Sequence, residues 1–151
     1  MIAKKRFKFL EHTADVKFQA FGKTIEETFK NSAFALKETI CDETEIKEKK
    51  KKIISIKQKD LESLLYSFLE EILYLLDAED FIIADISKIK IDKKFNLKAT
   101  IMGDKASDYE FTNSVKAVTY NDMFVIKEKE PAPRNPNKKI EFWRAQVVLD
   151  V

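Results

Sequence analysis

Two stretches of the chain carry apolar residues at spacings of three and four, the pattern that places them on one face of an α-helix. The first helix is predicted to begin at Thr24, where Glu27 completes a capping box. The second is predicted to begin at Asp60 and to run to about Leu76. The apolar positions are Ile25, Phe29, Ala33, Leu36 and Ile40 in the first stretch and Leu61, Leu64, Leu65, Phe68, Ile72 and Leu76 in the second. Each stripe is long enough to face a hydrophobic core.

Elsewhere apolar residues alternate with polar ones, which predicts half-buried β-strands. Val16, Phe18 and Ala20 share one side of such a stretch, and 139–151 alternates in the same way. The predicted strands are 6–10, 15–22, 53–57, 82–91, 95–102, 115–120, 123–129 and 139–151, with a turn at 92–94, an interruption at 121–122 and loops at 104–113 and 130–137. The sequence therefore predicts an α+β fold, a single compact domain over 1–151 with two helices packed on a mostly antiparallel sheet.

The composition is that of a globular domain. The chain has 151 residues, 44% of them hydrophobic, and a net charge of only +2. Cys41 is the only cysteine, so an internal disulfide is impossible, and its place at the end of the first apolar stripe predicts a buried thiol in a reducing compartment. No apolar run approaches the length of a membrane span, and the first residues do not resemble a signal peptide. We therefore expect a cytoplasmic protein with no membrane partner.

Two segments have strongly one-sided charge. The stretch 47–59 is rich in lysine; it is either a surface that contacts RNA phosphates or a solvated loop and strand whose lysines protect a sheet edge. The stretch 60–87 holds eight acidic residues and no lysine or arginine. It is either a solvated acidic face or a surface for a basic protein.

The sequence lacks the familiar catalytic motifs. It has no CxxC, no HExxH and no nucleophile elbow, and its two glycines, Gly22 and Gly103, cannot form a phosphate-binding loop. Asp15 and Asp150 are the notable carboxylates, since each lies at one end of an alternating stretch and strands disfavour aspartate. They are either unrelated turn or edge residues, or oxygen ligands suited to Ca²⁺, Mg²⁺ or Mn²⁺.

Three segments together resemble the archease family. They are Glu11-His12-Thr13-Ala14-Asp15, Val115-Lys116-Ala117-Val118-Thr119-Tyr120, and the closing stretch 143–151, and they occur across the whole chain. The resemblance implies that Asp15, Asp150 and the terminal carboxylate of Val151 bind one divalent cation. It favours Ca²⁺, with Mn²⁺ or Mg²⁺ as alternatives.

Lys116, Tyr120 and the polar loop before them match a motif of the family, and Asp104 and Glu110 of that loop are candidate accessory carboxylates. His12 either assists the site or is a structural residue beside a turn. In the family, the motif that matches 115–120 usually continues with a histidine after the tyrosine, and Asn121 stands there in this chain. Because asparagine cannot carry a proton, an acid–base role is not expected at that position.

The resemblance further implies a protein cofactor rather than an enzyme, with no catalytic residue of its own. Archeases activate the GTP-dependent tRNA-splicing RNA ligase by promoting its guanylylation and multiple turnover, so RNA is expected to be an indirect partner through the ligase. Two other hypotheses are a chaperone-like modulator of tRNA-modifying enzymes and a small metal-dependent hydrolase that activates water between the two aspartates.

Overall fold

The computed structural model describes residues 6–12, 14–111 and 113–151, and in these it contains two α-helices, a short 3₁₀ helix and seven strands in two sheets. Residue 13 of the first motif and residue 112 of the predicted loop therefore lie outside the described residues. The elements are β1 (Phe7–Leu10), β2 (Val16–Gly22), α1 (Ile25–Cys41), β3 (Lys50–Lys57), α2 (Leu61–Glu79), β4 (Phe81–Ile91), β5 (Asn96–Lys105), the 3₁₀ helix (Ala106–Asp108), β6 (Ala117–Pro131) and β7 (Lys139–Asp150).

Both sheets are antiparallel. Sheet A has the strand order β1-β2-β7-β6, and sheet B has the order β3-β5-β4. Each helix contacts both sheets: α1 packs on β1, β2, β7 and β4, and α2 packs on β6, β3 and β4. The predicted α+β fold is confirmed.

The helices begin where the sequence predicts, because their caps are local. The hydroxyl of Thr24 accepts a hydrogen bond from the backbone N–H of Glu27, and the carboxylate of Asp60 accepts one from the N–H of Ser63. The two apolar stripes meet in the core, where the rings of Phe29 and Phe68 lie 6.0 Å apart. Helix α2 continues to Glu79, beyond the predicted end. It ends there because the next residue, Asp80, takes a left-handed conformation.

Sheet B is longer than its apolar residues indicate. Strand β3 begins at Lys50 rather than at residue 53, and β5 continues to Lys105, so that Asp104 lies in a strand and not in a loop. Lys50 pairs with Gly103 in the ladder. Ladder hydrogen bonds use the backbone, so polar side chains can extend a strand when a partner is present.

Strand β6 corrects the prediction of two strands separated at 121–122. It is continuous, with a bulge between Thr119 and Phe124 that contains Asp122 at a positive φ of 53°. It also reaches Pro131, inside the predicted proline loop. Proline is tolerated there because β6 is an edge strand of sheet A.

The outer face of sheet A, opposite the helices, is also partly covered. Phe18 and Ala20 are buried as predicted, but so are Gln19 and Phe21 on the other side of β2. The guanidinium of Arg144 lies 5.5 Å from the ring centre of Phe21 and covers it. Strand β2 is therefore buried on both faces, whereas the alternation predicted one.

Cys41 is buried, as predicted. Burial raises the pKa of its thiol, although the positive charge of Lys37 acts in the opposite direction. Neither of the described helices is long and apolar enough to cross a membrane.

Candidate metal-binding cleft

The start of β2 and the end of β7 lie side by side. Val16 pairs with Leu149 in the antiparallel ladder, so Asp15 and Asp150 are the next residues at the same end of sheet A. On the other side of β7, Asp150 pairs with Ala117, and the backbone N–H of Lys116 donates to the carbonyl of Asp150 at 2.8 Å. The register thus brings together the motif at 11–15, the motif at 115–120 and the closing stretch 143–151.

An open cleft of about 1070 Å³ lies at this end of the sheet. Its walls come from the β1–β2 connection, the last turn of α1 and the segment before β6. The lining residues are Phe9, Leu10, Glu11, His12, Asp15, Val16, Glu38, Thr39, Asp42, Glu43, Asn113, Ser114 and Val151. Five of these side chains are acidic, and none of the described lining residues is a lysine or an arginine. The cleft is therefore strongly electronegative.

Helix α1 adds to this negative potential. It ends at Cys41, and its last turn carries Glu38 but no basic side chain. The carbonyl end of a helix bears a partial negative charge that favours cations within about one turn. Since Glu38 and Asp42 line the cleft together with this helix end, the cleft favours a cation.

Three of the predicted site residues line this one cleft. Asp15 is half-buried there, and His12 and Val151 are exposed. Asp150 is half-buried beside the cleft, on the ladder position that follows Leu149. Among the residues that the structure describes, no group of three or more histidine, cysteine, aspartate or glutamate side chains could hold a metal ion. A metal ion bound here by Asp15 and Asp150 would need further oxygen ligands, such as the main-chain carboxylate of Val151 or water.

The oxygen donors fit a hard cation. Asp15, Asp150 and the Val151 carboxylate would supply carboxylate oxygens only, which is the chemistry that Ca²⁺, Mn²⁺ and Mg²⁺ prefer. A cation would also neutralise part of the negative charge that the cleft gathers.

The other predicted accessory residues do not line the cleft. Asp104 is buried in sheet B, where its carboxylate accepts hydrogen bonds from the hydroxyl of Tyr109 at 2.7 Å and from the backbone N–H of Lys105 at 2.8 Å. The Tyr109 hydroxyl in turn accepts one from the N–H of Lys47. These hydrogen bonds connect the segment before β3 to the end of β5. The role of Asp104 is therefore structural. The neighbouring Glu110 is exposed.

Tyr120 lies at the β6 bulge and contacts α2 rather than the cleft. Its ring stacks on that of Tyr66 at a centroid distance of 4.1 Å and an angle of 9°. Partial burial raises its pKa, and the nearby negative charges of Asp60 and Glu70 add to the shift. The Lys116 side chain is exposed, and Asn121 donates its backbone N–H to Thr119.

The acidic wall of the cleft was not predicted from the sequence. The wall consists of Glu38, Asp42 and Glu43 from the end of α1. This part of the sequence is distant from the motifs at 11–15 and 115–120 and from the closing stretch. The available signal was their position: they are polar residues of the last turn of α1 and just beyond it, with only one lysine nearby, Lys37. Only the packing of α1 on β2 brings them beside Asp15.

Comparison with known proteins gives a consistent result over the length of the chain. Residues 7–151 match the model of a family described as the archease protein family (MTH1598/TM1083). A protein from Pyrococcus furiosus named "Protein archease" is 39% identical, and the match covers 97% of this chain and 99% of that protein. A protein of the same name from Methanosarcina barkeri is 35% identical, with 97% of each chain covered.

A solved structure has the same fold. The solution structure of Methanobacterium thermoautotrophicum protein 1598 superposes with a TM-score of 0.74 at 31% sequence identity, covering 97% of this chain and 99% of that one.

Proposed function

Because the chain belongs to the archease family, we propose that it is a protein cofactor of the GTP-dependent tRNA-splicing RNA ligase, which joins a 3′-phosphate end to a 5′-hydroxyl end. In this proposal the protein promotes guanylylation of the ligase and its multiple turnover, and it has no catalysis of its own. In this proposal the ligase binds the RNA, and the protein contacts the ligase, so that RNA is an indirect partner.

The observation that carries this proposal is the acidic cleft. Family motifs from both ends of the chain converge there, with Asp15 and Val151 in its lining and Asp150 beside it. We propose that Asp15, Asp150 and the Val151 carboxylate hold one divalent cation, Ca²⁺ in the first place. When bound, the ion supplies positive charge that can interact with phosphate or carboxylate groups of the ligase. The remaining acidic side chains, such as Glu38, keep the ion in place by their charge.

The two glycines support the assignment of nucleotide chemistry to the ligase. Gly22 lies where a Cβ would come within 2.6 Å of the backbone nitrogen of Thr28, and at Gly103 a Cβ would overlap the carbonyl oxygen of Ile82. Both glycines therefore serve close packing of strands and helix. In this proposal the loop that cradles the nucleotide phosphates belongs to the ligase.

The experiment is a ligation assay with purified ligase, GTP and split RNA, with and without the purified protein. We expect the wild-type protein to accelerate ligation under multiple-turnover conditions, and Asp15→Ala and Asp150→Ala to lose most of this effect. Asp77→Ala removes an exposed carboxylate of α2 and is the matched control, which should activate like wild type. Full activation by both cleft variants, or ligation unaffected by the wild-type protein, would reject the proposal.

A further inference from the structure

Sheet B presents an outer face, turned away from the helices, that is rich in lysine. We call it the lysine face and define it by five exposed side chains: Lys51 and Lys57 from β3, Lys88 and Lys90 from β4, and Lys98 from β5. On each strand these residues alternate with residues of the core side, such as Ile54, Ile89 and Ala99, and on β4 this alternation begins after the bulge between Ile86 and Lys88. Since side chains alternate between the faces of a strand, the lysines share the face opposite the core.

The register confirms that the lysines of different strands are neighbours. Lys98 stands directly opposite Lys90 on one side and opposite Ser55 on the other. Lys57 pairs with Asn96, so it lies diagonally next to Lys98. Adjacent strands are about 4.8 Å apart. Lys57, Lys90 and Lys98 are therefore held close together by backbone pairing and not by chance side-chain positions.

The charge of these lysines is not paired within the part of the chain that the structure describes. Among the described residues, none of the five lysines takes part in an ion pair. The acidic residue that the register places on this face, Asp85, is paired with Lys30 of α1 at 3.7 Å. Like charges directly opposite each other on a sheet are destabilising. The Lys90–Lys98 pair therefore costs the fold stability, which a bound polyanion would recover.

A shallow groove of about 490 Å³ runs over the same surface. Ser55, Lys57, Lys90, Asn96 and Lys98 line it, together with Ile56, Leu97 and Asp92. The carboxylate of Asp92 is already occupied, since it accepts hydrogen bonds from the backbone of Lys94 and from Asn96. The groove thus offers a ligand three ammonium groups, neutral polar groups and one carboxylate, that of Asp92, which is held by hydrogen bonds from the turn between β4 and β5.

We propose that the lysine face binds the phosphate backbone of RNA, without sequence preference. Protein–protein interfaces are depleted in lysine and enriched in aromatic residues and arginine, and this face carries neither of the latter. Nucleic-acid backbone is recognised by positive charge spread over a surface, as here. The large exposed apolar side chain of the face is Ile53, which is too little apolar area for a membrane surface.

Direct contact with RNA differs from the expectation that RNA is reached only through the ligase. It also gives the lysine-rich strand β3 a task beyond protecting a sheet edge. Binding is measured without the ligase, so its outcome does not depend on the proposed function.

The test is fluorescence anisotropy of a short labelled single-stranded RNA titrated with the purified full chain at several salt concentrations. If five phosphates are contacted, the affinity should fall about 100-fold between about 50 mM and about 200 mM salt. The triple variant Lys57→Gln/Lys90→Gln/Lys98→Gln should bind more weakly at low salt and lose only about sevenfold over that range, because two contacts remain. The matched control Lys23→Gln/Lys138→Gln/Lys139→Gln has the same change in net charge on other surfaces and should behave like wild type.

Folding is checked by thermal unfolding, where removal of like charges should leave the triple variant at least as stable as wild type. If it is nevertheless unstable, the single variant Lys98→Gln is compared with Lys23→Gln in the same assay and should show the weaker salt dependence. Equal effects of the lysine-face and control variants would overturn the proposal, as would absence of RNA binding at about 50 mM salt. Tighter binding to polyglutamate or to anionic lipid vesicles than to RNA would assign the face to a different partner and would also overturn it.

Discussion

Gln19 and Gln146 hydrogen bond to each other across β2 and β7, with 2.8 Å between Nε2 of Gln19 and Oε1 of Gln146. Both are nearly buried on the outer face of sheet A. The Nε2 of Gln146 also donates to the carbonyl of Asp122 at 2.8 Å, and Gln19 accepts from Arg144 at 3.4 Å. The pair therefore connects the centre of the sheet to the β6 bulge.

The glutamine pair should behave as a coupled unit. Gln19→Leu leaves a nearly buried carbonyl of Gln146 without its donor, so we expect a loss of about 1–3 kcal/mol in the free energy of unfolding, measured by urea denaturation. The double variant Gln19→Leu/Gln146→Leu should lose less than the sum of the single variants, because neither partner is then left alone. Additivity of the two losses would show that the bond does not couple them.

Metal should stabilise the fold through the acidic cleft. A cation that binds only the folded state raises the free energy of unfolding by about 2.7 kcal/mol at a hundredfold excess over its dissociation constant. We expect calorimetric titration with Ca²⁺ or Mn²⁺ to show one site in wild type and in Asp77→Ala, and markedly weaker binding in Asp15→Ala and Asp150→Ala. If either cleft variant binds metal as wild type does, the two aspartates do not share an ion.

The hydrogen bond between Tyr109 and Asp104 should make stability depend on pH. It lowers the pKa of Asp104 below its usual 3.8, with a smaller effect from the backbone of Lys105, and it raises the pKa of Tyr109 above its usual 10.0. The contribution of Asp104 is present above pH 3.8 and is lost as the pH falls through its lower folded pKa. The contribution of Tyr109 is present below pH 10.0 and is lost as the pH rises through its higher folded pKa.

The stability difference between wild type and Tyr109→Phe should therefore be constant from about pH 5 to about pH 9 and shrink outside that range. Urea denaturation across the pH series measures it. Tyr74→Phe, at an exposed tyrosine of α2, is the control and should show no such profile. If the stability difference between wild type and Tyr109→Phe stays the same at acid pH, the hydrogen bond from Tyr109 does not lower the pKa of Asp104.

The elements that the sequence predicts well are those with local causes. Thr24 and Asp60 cap their helices through residues three positions later, and the apolar stripes need only the helical period. The bulge in β6 was not predictable in this way. Asn121 and Asp122 look like an interruption, but the partner strand β7 keeps the backbone paired on both sides of them.

The candidate site also has a part that the sequence predicts and a part that it does not. The resemblance of the two ends of the chain to the family indicates Asp15 and Asp150, and the β2–β7 ladder places them at one end of sheet A. The contribution of Glu38 and Asp42 depends on where α1 ends relative to β2, which no local pattern specifies. Likewise, the alternation in β3 indicates that Lys57 is exposed, but only the register reveals Lys98 on the adjacent strand β5 and Lys90 one strand further, on β4.

The central place of β7 in sheet A has a consequence for biosynthesis. Strands β2 and β6 both pair with β7, which is the last of the described strands to leave the ribosome. At about 5–20 residues per second, the edge of β2 that later pairs with β7 stays without its partner strand for many seconds. Sheet B and the helices are complete earlier in the chain. On stalled nascent chains, the amides of β5 should therefore gain protection from hydrogen exchange before the β2 amides that bond to β7, which become protected only when residues 139–150 have emerged.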